Sequence, residues 1–384
     1  MIFFKRVHFL GFISLGMLIF ISGCKKDEPA PESTVVEVPI GVTVSLSGAF
    51  APYGPNQKNG LTMAINEINT GWYIPGIKLV PYFVDDQSSP DTCRKIYRDL
   101  IFNKKVLVII GPTSSNCAFA ADTIAQNNKT CVIGISNTVP GITEMGNYIF
   151  RNSLPESTVI PNTVRETHAR LGYSRVAIVY GDDDPYTLGA YNAFKSALEN
   201  EAGVSIVSTE IVHKGDVQFT DQLSRVQATN PDVIVLAALV NEASKLMIQA
   251  RVLGIPRNVR FIGGNSFNTS KLWELAGAAA QGSICGTAWI KSEKTPGNVA
   301  FIYQYTSLYK AIPDQFAAQA YTSVYILANA LKSLSPVSRE ALRNSMANIT
   351  NLETILGKFS FDQNRNPLHP PVVQELTDGQ FILF

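Results

Sequence analysis

The sequence predicts an α/β protein of two lobes, each built on an open parallel sheet. Short β-branched apolar runs alternate with helical patterns from Val38 onward. The alternation stops and then restarts near Val176. The run 233–239 is apolar at every position, as expected for a strand covered by helices on both faces. Two successive β-α series imply two sheets rather than one.

In the first series, strands are expected at 40–46, 78–84, 106–110 and 131–135. Helices are expected between them at 55–69, 91–101 and 117–126. After Pro55, the residues Leu61, Ala64, Ile65 and Ile68 recur at helical spacing and form a buried stripe. Asn56, Asn59, Asn66 and Glu67 take the wetter side, and Gly71 and Gly76 punctuate the turn that follows. In the second series, strands are expected at 176–180, 205–211, 233–239 and 261–263, with helices at 158–171, 188–201, 219–227 and 242–252. A strand at 283–289 precedes helical segments at 299–309 and 315–333. The tail returns to strand at 359–361, 372–376 and 381–384, which suits a chain that crosses between lobes more than once. Ligands of such sheets sit at the carboxyl ends of the strands, so two facing sheets can line one cleft.

The N-terminus has its own layout. Lys5, Arg6 and His8 supply a positive start, and residues 9–22 are uncharged and mostly apolar. Such a run is shorter than the roughly 20 residues a helix needs to span a bilayer, but it has the length of a signal-peptide core. It closes on Ser22-Gly23-Cys24, which resembles the lipobox of bacterial lipoproteins. The resemblance implies that 1–23 is a signal peptide, that the Cys24 thiol is lipidated, and that the chain is exported and anchored to a membrane. Residues 24–37 are charged and contain prolines, and they read as a tether.

Cleavage would leave 384 − 23 = 361 residues, more than one ordinary core. Without Lys5 and Arg6, 32 − 2 = 30 basic residues face 31 acidic ones. No basic tract stands out, which argues against a nucleic-acid partner. Beyond Cys24, the spacings of Cys93, Cys117, Cys131 and Cys285 match no zinc or redox motif. In an oxidising compartment Cys93 and Cys117 are the preferred pair, since each opens a helix that follows a strand in one lobe. Cys131 and Cys285 read equally well as small buried hydrophobes.

Several pieces stand in a telling order and spacing. They begin with 40–48 (Ile-Gly-Val-Thr-Val-Ser-Leu-Ser-Gly), Tyr53-Gly54, Asn59-Gly60 and 64–69 (Ala-Ile-Asn-Glu-Ile-Asn). They continue with Val84-Asp85-Asp86, 109–115 (Ile-Ile-Gly-Pro-Thr-Ser-Ser) and 179–186 (Val-Tyr-Gly-Asp-Asp-Asp-Pro-Tyr). In these pieces the chain, from residue 38 to the end, resembles the type I periplasmic solute-binding proteins of ABC transporters, in the branched-chain amino-acid branch. The resemblance implies two Rossmann-like lobes with parallel sheets, joined by a three-crossover hinge near 151–155, 286–290 and 361–369. One lobe would comprise 38–152 plus 288–360, the other 153–287 plus 361–384. The implied activity is capture of a small ligand, an amino acid of branched-chain type or a relative, for delivery to an ABC permease. A lipid-anchored monomer with no cofactor, no metal and no enzymatic activity is expected.

The strand-end turn 111–115 leads into a helix, where free N–H groups and the helix dipole favour an anion. The resemblance puts the ligand carboxylate there, on Ser114 and Ser115. It assigns Ser136 and Thr138 to the ligand's amino and carboxylate groups, and Tyr53 and Tyr186 to covering it from each lobe. Phe316 falls at a pocket position, and Trp289 lies close to a crossover. Asn265 departs from the pattern, because many amino-acid binders carry an acid there. A buried ammonium wants a carboxylate, and Glu156, at another acidic position of the family, offers one. Leu239 stands where some relatives present an aromatic. These departures leave an amide, urea or small carboxylate as an alternative ligand.

Two rival activities are weaker. Only His168, His213 and His369 lie beyond the N-terminal segment, and no H-E-x-x-H, G-x-S-x-G or phosphate-loop motif occurs. Asp85-Asp86 and Asp182-Asp183-Asp184 follow strands and read as caps and solvated loop charges. A ligand-sensing ectodomain acting on a separate membrane partner remains a second reading of the same fold.

Overall fold

The computed structural model describes residues 35–384. Strands β1 (Val36–Val44), β2 (Ile77–Asp85), β3 (Val108–Ile110), β4 (Cys131–Gly134) and β5 (Ile149–Arg151) form a sheet in the order β2-β1-β3-β4-β5. Every pair in it is parallel. Helices α1 (Gly54–Thr70), α2 (Pro90–Arg98) and α3 (Ser115–Asn127) connect its strands. The second series runs through α4 (Glu156–Leu171), β6 (Arg175–Gly181), α5 (Pro185–Glu199), β7 (Ser205–Val212), α6 (Thr220–Ala228) and β8 (Val233–Ala237). It continues with α7 (Val240–Val252), β9 (Arg260–Gly263), α8 (Lys271–Ala276) and β10 (Ile284–Thr287).

The chain then returns to the first lobe with α9 (Pro296–Tyr309), α10 (Gln315–Leu331), α11 (Arg339–Ala347) and the hairpin of β11 (Leu352–Thr354) and β12 (Gly357–Phe359). It ends in the second lobe with β13 (Val372–Thr377) and β14 (Gln380–Leu383). The second sheet has the order β14-β13-β10-β9-β8-β6-β7. The chain therefore passes between the lobes after β5, after β10 and before β13.

The two-lobed α/β architecture is the one the sequence predicts, with differences of detail. The second sheet is mixed, because β13 and β14 pair antiparallel at its edge. They are joined by the tight turn at Asp378 and Gly379, both at positive φ, which returns the chain antiparallel. β8 stops at Ala237, two residues before the end of its apolar run, because Leu239 serves as the extended N-cap of α7. The helix expected at 91–101 is α-helical only to Arg98 and finishes as a π turn over Asp99–Asn103. Val36 and Glu37, assigned to the tether, already pair with β2. The signal peptide, Cys24 and the rest of the tether lie outside the described residues. Among the described residues no helix is long and apolar enough to cross a membrane.

The position of α10 follows from its composition. It is apolar nearly all round and rich in alanine, so it is buried on almost every face. It packs along α1, and its first two turns carry Gln315, Phe316 and Gln319 toward the second lobe. On the other side of the first sheet, a disulfide joins Cys93 of α2 to Cys117 of α3, with Cα atoms 5.8 Å apart. Cys131 and Cys285 are free and buried. The bridge closes a 24-residue separation. We predict that the double variant Cys93→Ala/Cys117→Ala loses about 3 kcal/mol of unfolding free energy, measured by denaturant titration. An unchanged midpoint would mean that the bridge constrains nothing the fold needs.

Candidate functional site

A small cavity lies between the lobes at the carboxyl ends of their strands. The first lobe contributes Phe50, Tyr53, Thr113, Ser115, Ser136 and Phe316; the second contributes Tyr186, Leu239, Asn265 and Ser266. Thus six of the expected residues share one wall system: Tyr53, Ser115, Ser136, Tyr186, Asn265 and Phe316. Ser114, Thr138 and Glu156 lie immediately behind it.

The floor is the turn between β3 and α3. Gly111 has φ 122°, and a Cβ there would sit 2.1 Å from the Thr43 carbonyl oxygen, so only glycine lets the turn pass so close to β1. The Ser114 hydroxyl accepts the Cys117 N–H at 3.1 Å and caps α3. Ser114 is not among the residues that line the cavity. Ser115 occupies the first helical position, where backbone N–H groups have no intrahelical acceptor and the dipole is positive. Its Oγ accepts the Thr138 N–H at 3.3 Å, which leaves the hydroxyl proton for another acceptor.

The neighbouring hydroxyls are already engaged. Thr113 donates to Gln57 Oε1 and accepts the Ser45 N–H. Ser136 donates to the Thr113 carbonyl and accepts from Gln57 Nε2. These bonds make the floor rigid and leave Ser136 only its backbone to offer. Thr138 differs: its Oγ1 is buried and has no partner among the described residues.

The opposite side is built around Glu156, in the first turn of α4 and 2 % exposed. Its backbone N–H donates to the Thr138 carbonyl at 3.2 Å, so Ser115, Thr138 and Glu156 are joined in sequence by hydrogen bonds. Its Oε1 accepts the Asn265 N–H at 3.1 Å, while Oε2 has no partner among the described residues. A Cβ on Gly264 would lie 2.5 Å from Oε1, so glycine there is what admits the carboxyl group. Burial pushes this carboxyl up to about 8, against the opposing pull of the Asn265 N–H and the Tyr186 hydroxyl.

Aromatic side chains close the cavity. The rings of Tyr53 and Phe316 are 4.7 Å apart and pack into the apolar cluster of the second lobe. The Val240 N–H, at the start of α7, donates to the Tyr53 hydroxyl at 2.9 Å across the cleft. The Ser266 N–H donates to the Tyr186 hydroxyl at 2.8 Å. Gln315 adds a second link between lobes by donating to Asn265 Oδ1 while accepting from Thr287 and Ala288. Trp289 is a packing residue, with its indole N–H held by Asn298. The acidic runs have structural duties: Asp85 accepts three backbone N–H groups, Asp86 accepts from Ser45 and Ser88, and Asp184 caps α5. Sequence reasoning missed Phe50, Thr113 and Ser266 as lining residues; each is a near neighbour of a residue it did select.

A family model described as periplasmic binding protein matches residues 37–380. The chain is 26% identical over 334 residues to the Leu/Ile/Val-binding protein BraC3 of Rhizobium johnstonii, covering 85% of this chain and 88% of that one. It is 24% identical to the leucine-specific-binding protein of Salmonella typhimurium, covering 85% and 87% of the two chains. Among solved structures it resembles the branched-chain amino acid transporter substrate binding protein LivJ of Streptococcus pneumoniae in complex with isoleucine. That match has a TM-score of 0.84 and 26% identity, and covers 90% of this chain and 98% of that one.

Two outcomes follow from the geometry. Tyr53→Phe keeps the ring but strands the buried Val240 N–H, and should cost about 1–3 kcal/mol in thermal or denaturant unfolding. A loss below a few tenths would show that the bond does not hold the lobes together. The Glu156 carboxyl is raised from 4.5 to about 8 in the folded chain. The unfolded chain therefore sheds this proton first. The associated stability of the ligand-free protein is present below about pH 4.5 and is lost as pH rises toward 8. Glu156→Gln should flatten the stability–pH profile in that window, and a profile identical to the parent would contradict the assignment.

Proposed function

The chain belongs to the periplasmic binding protein family, and we propose that it captures a small amino acid between its lobes and delivers it to an ABC permease. The observation that carries this reading is a matched pair of charge preferences. A helix N-terminus with a free serine hydroxyl favours a carboxylate at one end of the site. A buried carboxyl without a counter-charge favours an ammonium group at the other. An α-amino acid carries both groups on one carbon. In this reading its carboxylate rests on the first amides of α3 and the Ser115 hydroxyl. Its ammonium meets Glu156 and Thr138, and Tyr53, Tyr186, Phe316 and Leu239 enclose its side chain. Asn265 holds Glu156 through its backbone, so the acid missing at position 265 is supplied from α4.

Transport follows as a population shift. Contacts from both lobes favour the closed form, and only contacts that differ between open and closed forms can do so. The segments near 151–155, 286–290 and 361–369 absorb the change in backbone dihedrals. Export and lipidation at Cys24 would hold the protein at the membrane beside its permease. The sequence departure at Asn265 keeps an amide or small carboxylate as the competing ligand class.

Thermal melting against a panel of amino acids, amides, urea and small carboxylates tests the reading, since a ligand of the native state raises the melting temperature by mass action. An aliphatic amino acid should give the largest shift; a shift with amides or carboxylates alone would contradict the ammonium role of Glu156. Ser115→Ala and Tyr186→Ala should each weaken binding about tenfold while the protein stays folded. Unchanged affinity in both would remove the site assignment. Because the Glu156 carboxyl sits near 8 in the empty protein, binding of an ammonium-bearing ligand at pH 7 should release close to one proton. Calorimetry in buffers of different ionisation enthalpy measures this, and Glu156→Gln should abolish it.

A further inference from the structure

The first lobe carries a second pocket, walled by α1, α9, α10 and the β11–β12 hairpin, which shares no lining residue with the interlobe cavity. Its chemistry is acidic and aromatic. Glu67 of α1 and Glu353 of the hairpin line it together with Tyr321, Thr322 and Tyr325 of α10, and no basic side chain does. The Tyr321 and Tyr325 hydroxyls both donate to Glu67 Oε2, at 2.6 and 2.8 Å. Burial and the adjacent carboxylate push both phenols up, so they stay protonated and remain donors. Glu67 Oε1 is left without a donor, and Glu67 has no ion-pair partner among the described residues. Thr322 is 1 % exposed, and its Oγ1 has no hydrogen-bond partner among the described residues. The cations nearby are engaged elsewhere. Lys332 Nζ lies 3.6 Å from the centre of the Tyr73 ring, which packs edge-on to Tyr325, and Lys358 stands 3.9 Å from Glu353 at the surface.

A buried polar atom without a partner calls for an explanation, and here it lines a pocket whose charge is all of one sign. A divalent metal takes about six oxygen ligands, more than one carboxylate oxygen and one hydroxyl supply. A water molecule would satisfy the hydroxyl and leave the charge unbalanced. An organic ammonium meets both needs. Its N–H groups suit Glu67 Oε1 and Thr322 Oγ1, and its carbon body suits the apolar wall of Pro296 and Ile355. Tyrosine ring faces add attraction for the cation. We propose that this pocket is a second binding site, taking a small organic amine in its ammonium form. Glu67 supplies the counter-charge, and the two tyrosine hydroxyls hold its carboxylate in place. The site stands apart from whatever the interlobe cavity binds.

The test titrates the full chain by calorimetry with 2-phenylethylamine and with 2-phenylethanol, which has the same body and no charge. The parent should bind the amine about tenfold more tightly than the alcohol. Glu67→Gln keeps an acceptor for both phenols but removes the charge. It should weaken the amine about tenfold and leave the weaker alcohol binding unchanged. Thr322→Val is close in shape and should weaken the amine about fivefold. Glu156→Gln separates this pocket from the interlobe cavity, and it should leave amine binding at the second site as in the parent. A loss with Glu156→Gln and none with Glu67→Gln would put the amine between the lobes and overturn the second site. Equal affinity for amine and alcohol would overturn it too, as would the absence of saturable amine binding at millimolar concentration. Should Glu67→Gln not fold, Thr322→Val set against Glu156→Gln carries the same comparison, and amine affinity unchanged by Thr322→Val then removes the site.

Discussion

A carboxyl group buried without a cation sets the terms for the rest of this structure. Removing Glu156 from water disfavours its charged form, and the fold supplies only partial compensation: one backbone N–H from Asn265 and the Tyr186 hydroxyl. Several features exist to hold it there. Gly264 makes room for its oxygen, and the Thr138 carbonyl fixes the first turn of α4 through the Glu156 N–H. Such an arrangement costs stability in the empty protein and is offset when a cationic group arrives. The same logic extends to the unpartnered hydroxyl oxygen of Thr138, whose carbonyl accepts the Glu156 N–H. Binding sites are where a fold tolerates polar groups left unsatisfied.

Closure depends on a different kind of contact. Phe50, Tyr53 and Phe316 belong to the first lobe by chain position, yet they bury themselves in the apolar cluster of the second, beside Leu239 and Tyr186. Aromatic burial supplies area, and the Tyr53 hydroxyl adds a directional bond to the start of α7. Gln315 ties Asn265 to the second crossing, so the hinge, the ligand wall and the buried α10 share one side chain. The disulfide between α2 and α3 lies two residues beyond Ser115 and fixes the helix whose N-terminus forms the anion end.

Much of this was legible in the sequence because burial on both faces leaves a plain mark. The continuous apolar run 233–239 and the helical stripe of α1 marked the two sheets and their helices, and family likeness pointed to the strand-end loops. What escaped was short or relational. β5 has three residues and α8 has six, too few for any period to emerge. The antiparallel pairing of β13 and β14 depends on a turn at Asp378 and Gly379, whose conformation becomes visible only in three dimensions. Ser114 and Ser115 look equivalent as adjacent hydroxyls, and backbone geometry alone assigns one to capping and the other to the cavity.

The most direct measurement is a crystal structure of the protein grown with leucine. The predicted result is a ligand in the interlobe cavity with its carboxylate on the Ser115 end of α3 and its nitrogen within hydrogen-bond distance of the Glu156 carboxyl. A ligand lying with its nitrogen toward α3, or bound away from Glu156 altogether, would contradict the pairing of charges on which the function rests.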